Sequence, residues 1–146
     1  MAKVFEASEE LTKVANEVFE KTDLHANGLK LRVLAITKSA VLAKAAKPSA
    51  TADYLLGNNG NTITLTLLES VISEMESADQ YILIEGALSG VSYDYEKEKI
   101  NVDNNVYNEV IRMTKKYSNY IQVLERGKLI KEQQEEKAKE LKQSSK

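Results

Sequence analysis

Residues 80–90, QYILIEGALSG, decide the fold, because they predict a short helix that is apolar on nearly every side. Tyr81, Ile84 and Leu88 recur at helical spacing, and two further aliphatic residues lie between them. A helix that is apolar all round is normally buried within its domain. We therefore expect this stretch to form a central helix with the other elements packed around it.

Two segments before this helix alternate in polarity as β-strands do. In residues 29–37, LKLRVLAIT, both sides of the predicted strand are apolar in part, which indicates a central strand. In residues 61–67, NTITLTL, aliphatic residues alternate strictly with threonines. A weaker strand is predicted around residues 40–46. Residues 91–102 predict a β-hairpin or an extended excursion, with a turn near residues 96–99.

Helices are predicted near both ends of the chain. An apolar stripe at helical spacing begins at Leu11 and ends near residues 21–27. A second stripe runs from Val106 to Leu124 at spacings of three and four, and it is the longest regular pattern in the sequence. We expect Gly127 to interrupt this second helix.

Polar residues with short side chains mark where these helices begin, since their oxygens accept hydrogen bonds from free backbone N–H groups. Ser8 is the predicted N-cap of the first helix. Ser77 or Asp79 is the predicted N-cap of the central helix, and Asp103 or Asn104 that of the long helix.

These patterns predict an α+β fold, in which a short sheet packs against an N-terminal helix, a buried central helix and a long C-terminal helix. The length of 146 residues suits one domain, which we assign to residues 1–130. Residues 131–146, KEQQEEKAKELKQSSK, offer almost nothing to bury. They are predicted to form a charged helical or disordered tail.

Composition excludes several classes of function. The chain has no cysteine, which excludes disulfides, thiolate nucleophiles and cysteine-ligated zinc. Its one histidine, His25, falls near a helix end, where we expect it to serve the last carbonyls. No apolar run is long enough to cross a bilayer, and the N-terminus lacks a signal-peptide pattern, so we expect a cytoplasmic protein that does not bind membranes.

The charges are unevenly distributed along the chain. Residues 24–52 carry five basic residues and no acid, whereas residues 69–109 carry ten acids against two lysines. Clustered cations attract phosphates, so nucleic-acid binding is one alternative function, although the acidic second half would oppose it. The candidate contacts for nucleic acid or another partner are Lys30, Arg32, Lys38, Lys44 and Lys47.

Carboxylates raise a second alternative, a metal-dependent hydrolase with non-standard ligands. Glu85 and Asp103 are the acids on which such an activity would depend. Asp94, Glu96 and Glu98 alternate, which predicts one face of a strand. We expect these three side chains to form only an exposed hairpin surface.

The order and spacing of the segments over residues 7–125 resemble a family of phage-encoded, zincin-like metallopeptidases. That family has an N-terminal helix, a strand, a segment rich in lysine and alanine, a further strand and a short helix. An active-site helix with an R-x-L-L-D-H-E-L-C-H type motif follows. Residues 80–90 of this chain hold the corresponding place.

The alignment puts residues without metal-binding side chains at the positions of the chemistry. Gly86 and Gly90 fall on the two histidine ligands, Ala87 on the general-base glutamate and Asn105 at or near the third ligand. Two histidines four residues apart on a helix grip one zinc ion, and the glutamate between them activates the bound water. The side chains of glycine and alanine can neither bind zinc nor activate water.

The resemblance therefore implies a pseudo-metallopeptidase that holds no metal or other cofactor and acts by binding. It also implies a phage or prophage origin, with an unidentified host or phage macromolecule, most simply a protein, as the partner that is blocked or recruited. Without common ancestry, Gly86 and Gly90 have a plain interpretation as sites where another backbone approaches a buried helix closely.

Overall fold

The structure, a computed structural model, describes residues 2–47, 50–55 and 61–144, and it is α+β as the sequence predicted. The strands are β1 (Val4–Glu6), β2 (Lys30–Ile36), β3 (Ala43–Ala46), β4 (Thr62–Leu67), β5 (Val91–Asp94) and β6 (Lys99–Val102). The helices are α1 (Glu9–Glu20), α2 (Asp23–Ala26), α3 (Ala50–Leu55), α4 (Glu69–Ile72), α5 (Ser77–Leu88), α6 (Val106–Lys116) and α7 (Tyr120–Ser144). Within the described ranges, none of these helices has both the length and the apolar character needed to cross a bilayer.

Four strands form one mixed sheet in the order β1, β2, β4, β3. The two central strands, β2 and β4, run parallel, and each edge strand runs antiparallel to its neighbour. The alternating patterns set the faces of this sheet: Val33 and Leu65 are buried on one face, while Thr64 and Thr66 are half-buried on the other. The strands β5 and β6 form a separate hairpin, as predicted.

The main core lies between the buried face of the sheet and the helices α1 and α5. Leu11 and Val18 of α1, Leu65 of β4 and Ile84 of α5 belong to one cluster of buried apolar side chains. The central helix predicted from residues 80–90 is therefore present and largely buried. The sheet and α1 position α5, and α5 in turn carries Gly86 and Ala87, two of the residues aligned with the metallopeptidase motif.

The long C-terminal helix is divided at a different place from the one predicted. Tyr117 has an extended backbone (φ −126°, ψ 104°) and ends α6, and α7 begins at Tyr120. Ser118 and Asn119 between them are residues that favour turns. The interruption expected at Gly127 was wrong, because this buried glycine lies inside α7 and packs against Leu42.

Helix α7 continues through the predicted domain boundary at residue 130 without a break. The Gln134 side-chain amide donates to the Ser70 carbonyl oxygen at 2.8 Å and to a Glu74 carboxylate oxygen at 3.0 Å. The first turns of the predicted tail are thus helical and lie against α4. The assignment of residues 131–146 as a separate tail stays a prediction.

A bidentate ion pair between Asp79 and Arg126 joins helices α5 and α7. The Arg126 guanidinium donates to both carboxylate oxygens of Asp79, at 2.7 and 2.8 Å. The Asp79 side chain is only 8% exposed, whereas that of Arg126 is 50% exposed. Because a buried carboxylate needs a partner, this pair fixes how α7 lies across the start of α5.

Two of the three predicted N-caps were placed on the wrong residue. The α5 N-cap is Glu76, which makes no side-chain capping bond, instead of Ser77 or Asp79. The α6 N-cap is Asn105, whose Oδ1 accepts from the Asn108 N–H at 3.0 Å. Asp103 instead accepts from the Asn105 N–H at 2.9 Å, which holds the chain in the turn before the helix.

The acids of the hairpin do not lie on one strand face. Asp94 ends β5, and its Oδ1 accepts from the backbone N–H groups of Glu96 and Lys97 at 3.0 and 3.2 Å. Glu98 has a positive φ of 49° within the turn. Glu96 and Glu98 therefore lie in a turn that Asp94 stabilises. The expectation that the three acids share one strand face was wrong.

Ser8 caps α1 as predicted, and its removal provides a test of this contact. The Ser8 Oγ accepts from the Leu11 N–H at 3.3 Å. Ser8→Ala is expected to lower the free energy of unfolding by about 0.5–1 kcal/mol in urea denaturation, because one N–H at the start of α1 loses its partner. Ser73→Ala, at an exposed serine in the turn after α4, is the matched control and is expected to have a smaller effect. Equal losses for both variants would contradict the capping role.

Candidate functional site

Gly86 on α5 and Gly90 in the turn that follows it have no room for side chains. A Cβ atom added at Gly86 would lie 2.0 Å from the Tyr120 hydroxyl oxygen. A Cβ atom added at Gly90 would lie 2.1 Å from the Asp103 carbonyl oxygen. Real contacts of this kind are never so short, so both positions require glycine in this arrangement. The space beside α5 is filled by groups from α7 and from the turn before α6.

Tyr120 is the largest side chain at this contact and is fully buried, with 0% exposure. Its hydroxyl donates to Oε2 of Glu109 on α6 at 2.6 Å. Burial, and then the hydrogen bond to Glu109, raise the pKa of Tyr120 far above the usual value for a phenol. The phenol therefore stays protonated and acts as a fixed donor that joins α5, α6 and α7.

Gly90 and Asp103 lie next to each other at the base of the β5–β6 hairpin. The Asp103 N–H donates to the Gly90 carbonyl oxygen at 2.9 Å, and Asn105 follows two residues later as the α6 N-cap. Of the four positions aligned with the motif, Gly86 and Gly90 therefore lie at close packing contacts, and Asn105 caps α6. Ala87, the fourth, borders a cavity.

The two acids considered for a hydrolase are both engaged by neighbouring side chains. Glu85 accepts from the Tyr117 hydroxyl at 2.7 Å and pairs with the Lys116 ammonium. The hydrogen bond to Glu85 raises the pKa of both of these partners. Asp103 pairs with Arg112 at 3.3 Å, and hydrogen bonds from the Asn105 N–H and from Asn108 lower its pKa.

The residues present do not fit a zinc ion. Gly86, Ala87 and Gly90 have no donor atoms in their side chains. In residues 2–47, 50–55 and 61–144, no three histidine, aspartate or glutamate side chains are close enough to hold one metal ion. His25, which lies in α2, makes an edge-to-face contact with the Phe19 ring at a centroid distance of 5.8 Å.

One concave surface is a cavity of about 610 Å³, here called the β3 cleft. One side is formed by residues 39–45, which comprise most of β3 and the chain leading into it. The α5 residues Leu83 and Ala87 lie on another side. Helices α6 and α7 complete it, and their lining residues include Glu109, Leu124, Lys128 and Lys131.

Strand β3 is an edge strand, and one set of its backbone groups points away from the sheet. The Leu68 N–H donates to the Leu42 carbonyl oxygen at 2.8 Å, and Leu42 precedes β3 in the same antiparallel register. Because hydrogen bonding alternates along such a ladder, Lys44 and Ala46 bond to β4 while the N–H and C=O groups of Ala43 and Ala45 point outward. Of these two residues, Ala43 is half-buried and within reach of an added strand, whereas Ala45 is fully buried.

A second cavity of about 600 Å³ lies beside the β3 cleft. Ser39, Ala40 and Lys131 border both cavities, and Gln134 of α7 borders the second. The two cavities therefore follow one another along α7. Lys131 stands at the junction between them.

The structure brings together only some of the predicted basic contacts. The sheet register puts Lys30, Arg32 and Lys44 on the face opposite the main core. Arg32 is already paired with Glu6 at 3.0 Å, which reduces the local positive charge. Lys38 follows β2 and Lys47 follows β3, and both are exposed.

No pattern in the sequence singles out Tyr120 and Glu109, which form the contact at Gly86, or Lys128 and Lys131, which line the β3 cleft. Tyr120 continues the three-and-four spacing after Tyr117, so it was visible only as one more residue of an apolar stripe. The lysines repeat at helical spacing after Leu124 but look like any solvated helix face. Only the packing of α7 against α5 and Leu42 distinguishes them.

Comparison with known proteins returns no match: no family model, no curated protein and no solved structure is similar to this chain.

The contact between Gly86 and Tyr120 predicts that Gly86→Ala lowers the stability of the protein instead of raising it. At an open helix position, Gly→Ala stabilises a protein by about 0.5–1 kcal/mol. Gly86→Ala is instead expected to lower the free energy of unfolding by about 1–3 kcal/mol in urea, because the new methyl group overlaps the Tyr120 hydroxyl. In the Tyr120→Phe background the loss is expected to be smaller, since the closest atom has been removed.

Gly127→Ala is the matched control for this experiment. Gly127 is also a buried helical glycine, and an added Cβ there would lie 2.4 Å from Leu42 Cδ1, the end of a flexible side chain. Leu42 can move aside, so we expect a change in unfolding free energy of less than about 1 kcal/mol. A Gly86→Ala variant as stable as the parent protein, with or without the Tyr120 hydroxyl, would contradict the contact.

Proposed function

We propose that the protein is a non-catalytic binding module that holds an extended segment of another protein in the β3 cleft. The observation that carries this proposal is the outward edge of β3 beside a mostly apolar cavity. An extended peptide adds to such an edge through main-chain hydrogen bonds, and its alternate side chains enter the neighbouring pocket. The outward N–H and C=O groups of Ala43, which is half-buried, suit that mode of binding.

The lining of the cleft supports this mode. Ala43, Ala45 and Ala87 present only methyl groups or backbone, which leaves space next to the strand edge. Exposed apolar side chains stand beside this space, since Val41 is 38% and Val106 is 56% exposed. Apolar groups on a concave surface favour binding because they lose water when a partner covers them.

The proposal that no catalysis accompanies binding is supported by the residues of α5. Ala87 borders the cleft and offers a methyl group where the resembled metallopeptidases have a glutamate. Tyr120 and the Asp103 carbonyl fill the space that side chains at positions 86 and 90 would need. We propose descent from that phage-encoded family, with a host protein that is blocked or recruited as the partner.

A single proline tests the strand edge. The Ala43 N–H points away from β4, so Ala43→Pro removes a donor from the open edge and leaves the β3–β4 ladder intact. Peptides of ten residues are selected from a random library displayed on yeast and then synthesised. We expect Ala43→Pro to weaken their binding by about tenfold or more, because one main-chain bond and the strand geometry are lost.

Ala43→Ser keeps the N–H group and is the matched control, which should bind the peptides like the parent protein. Mass spectrometry after incubation with the parent protein and zinc chloride should recover the peptides intact. Equal binding by the proline variant would place the peptide site elsewhere. Cleavage of the peptides would contradict the absence of catalysis.

A further inference from the structure

The lining of the β3 cleft carries charges of both signs, at different points along α7. Glu109 of α6 borders one end, where it receives the hydrogen bond from Tyr120. Lys128 and Lys131 of α7 border the other part. A peptide that lies along the cleft would therefore meet a carboxylate at one end and ammonium groups at the other.

These charges are largely uncompensated within the described ranges. No lysine or arginine pairs with Glu109 there, and no acid pairs with Lys128. Lys131 is 3.9 Å from Glu135, at the limit of an ion pair between helix neighbours. Charged groups beside an apolar cavity interact more strongly with a partner than charges in open water do.

The spacing of the charges follows from the geometry of α7. Tyr120, which holds Glu109, and Lys128 are eight residues apart on one helix, so about 12 Å of helix axis separates them. An extended chain covers about 13 Å in four residues, and residues four apart lie on the same face of a strand. The matching segment therefore has its two charges about four residues apart.

The order of the charges follows from the direction of β3. Ser39 and Ala40 border the same cavities as Lys131, and Leu42 packs against Gly127, one turn before Lys131 on α7. The strand thus runs from the lysine end of the cleft toward the Glu109 end. An added antiparallel strand, the more stable pairing, runs from Glu109 toward the lysines.

We infer that the cleft selects a segment with a basic side chain followed four residues later by an acidic one. The basic side chain pairs with Glu109 and the acidic one with Lys128 and Lys131. This inference rests on the proposed function, since it describes which extended segment the β3 cleft binds. It adds a direction and a charge order, which the apolar cleft alone would not specify.

Two peptides of identical composition test the charge order. The forward probe is acetyl-Val-Lys-Val-Thr-Val-Glu-Val-amide, and the reversed probe exchanges its lysine and glutamate. Both carry a fluorescent label on a flexible linker, and fluorescence anisotropy measures binding to the full chain. We expect the forward probe to bind roughly five- to thirtyfold more tightly at low salt, with a smaller difference at high salt.

Lys128→Glu is the discriminating variant because Lys128 is exposed and its replacement leaves the core unchanged. It should abolish or reverse the preference for the forward probe. Lys139→Glu, the same change at an exposed residue of α7 outside the cleft lining, should keep the preference.

Each outcome has a distinct meaning. Equal binding of the two probes, or a preference that Lys128→Glu leaves unchanged, would overturn the charge order while peptide binding in the cleft stands. Tighter binding of the reversed probe would overturn the direction. Failure of both probes to bind, together with failure of the library to yield cleft-binding peptides, would overturn the proposed function as well.

Discussion

The contact between the Tyr120 hydroxyl and Gly86 is the constraint on which the arrangement of the helices depends. It lets α7 approach α5 closely, since hydrogen is the only substituent that fits at position 86. The same hydroxyl donates to Glu109 and thereby holds α6. The Asp79–Arg126 pair fixes the other end of the α5–α7 crossing. With both contacts in place, α6 and α7 stand away from β3 and leave the cleft between them and the strand edge.

Local patterns predicted most of the fold because the forces behind them are local. Alternating Thr and aliphatic residues specified β4, and helical spacing specified α1 and α5. The division between α6 and α7 was missed, since the apolar spacing continues across Tyr117 while the backbone does not. Glycine weakens a helix, which predicts an interruption at Gly127. In the structure Leu42 packs against Gly127, and α7 continues through this position.

The candidate site was much less predictable, because it depends on contacts between residues far apart in the chain. Gly86 and Gly90 are unusual residues in a stretch that predicts a buried helix, but the sequence does not indicate which residues lie against them. The hydrogen bond between Tyr120 and Glu109 joins two helices, and no spacing in the sequence predicts it. The basic segment shows the reverse case: it is one run in the sequence, yet its members lie on a sheet face and in two separate connections.

Gly86 of α5 and Gly90, which follows the helix, differ in what lies against them, and this difference determines which substitutions each position tolerates. At position 86 the obstacle is a side chain, so a larger residue becomes acceptable when Tyr120 is replaced by something smaller. At position 90 the obstacle is the Asp103 main-chain carbonyl, which no substitution removes. Among relatives that keep this fold, positions 86 and 120 should covary, while glycine at position 90 should be invariant.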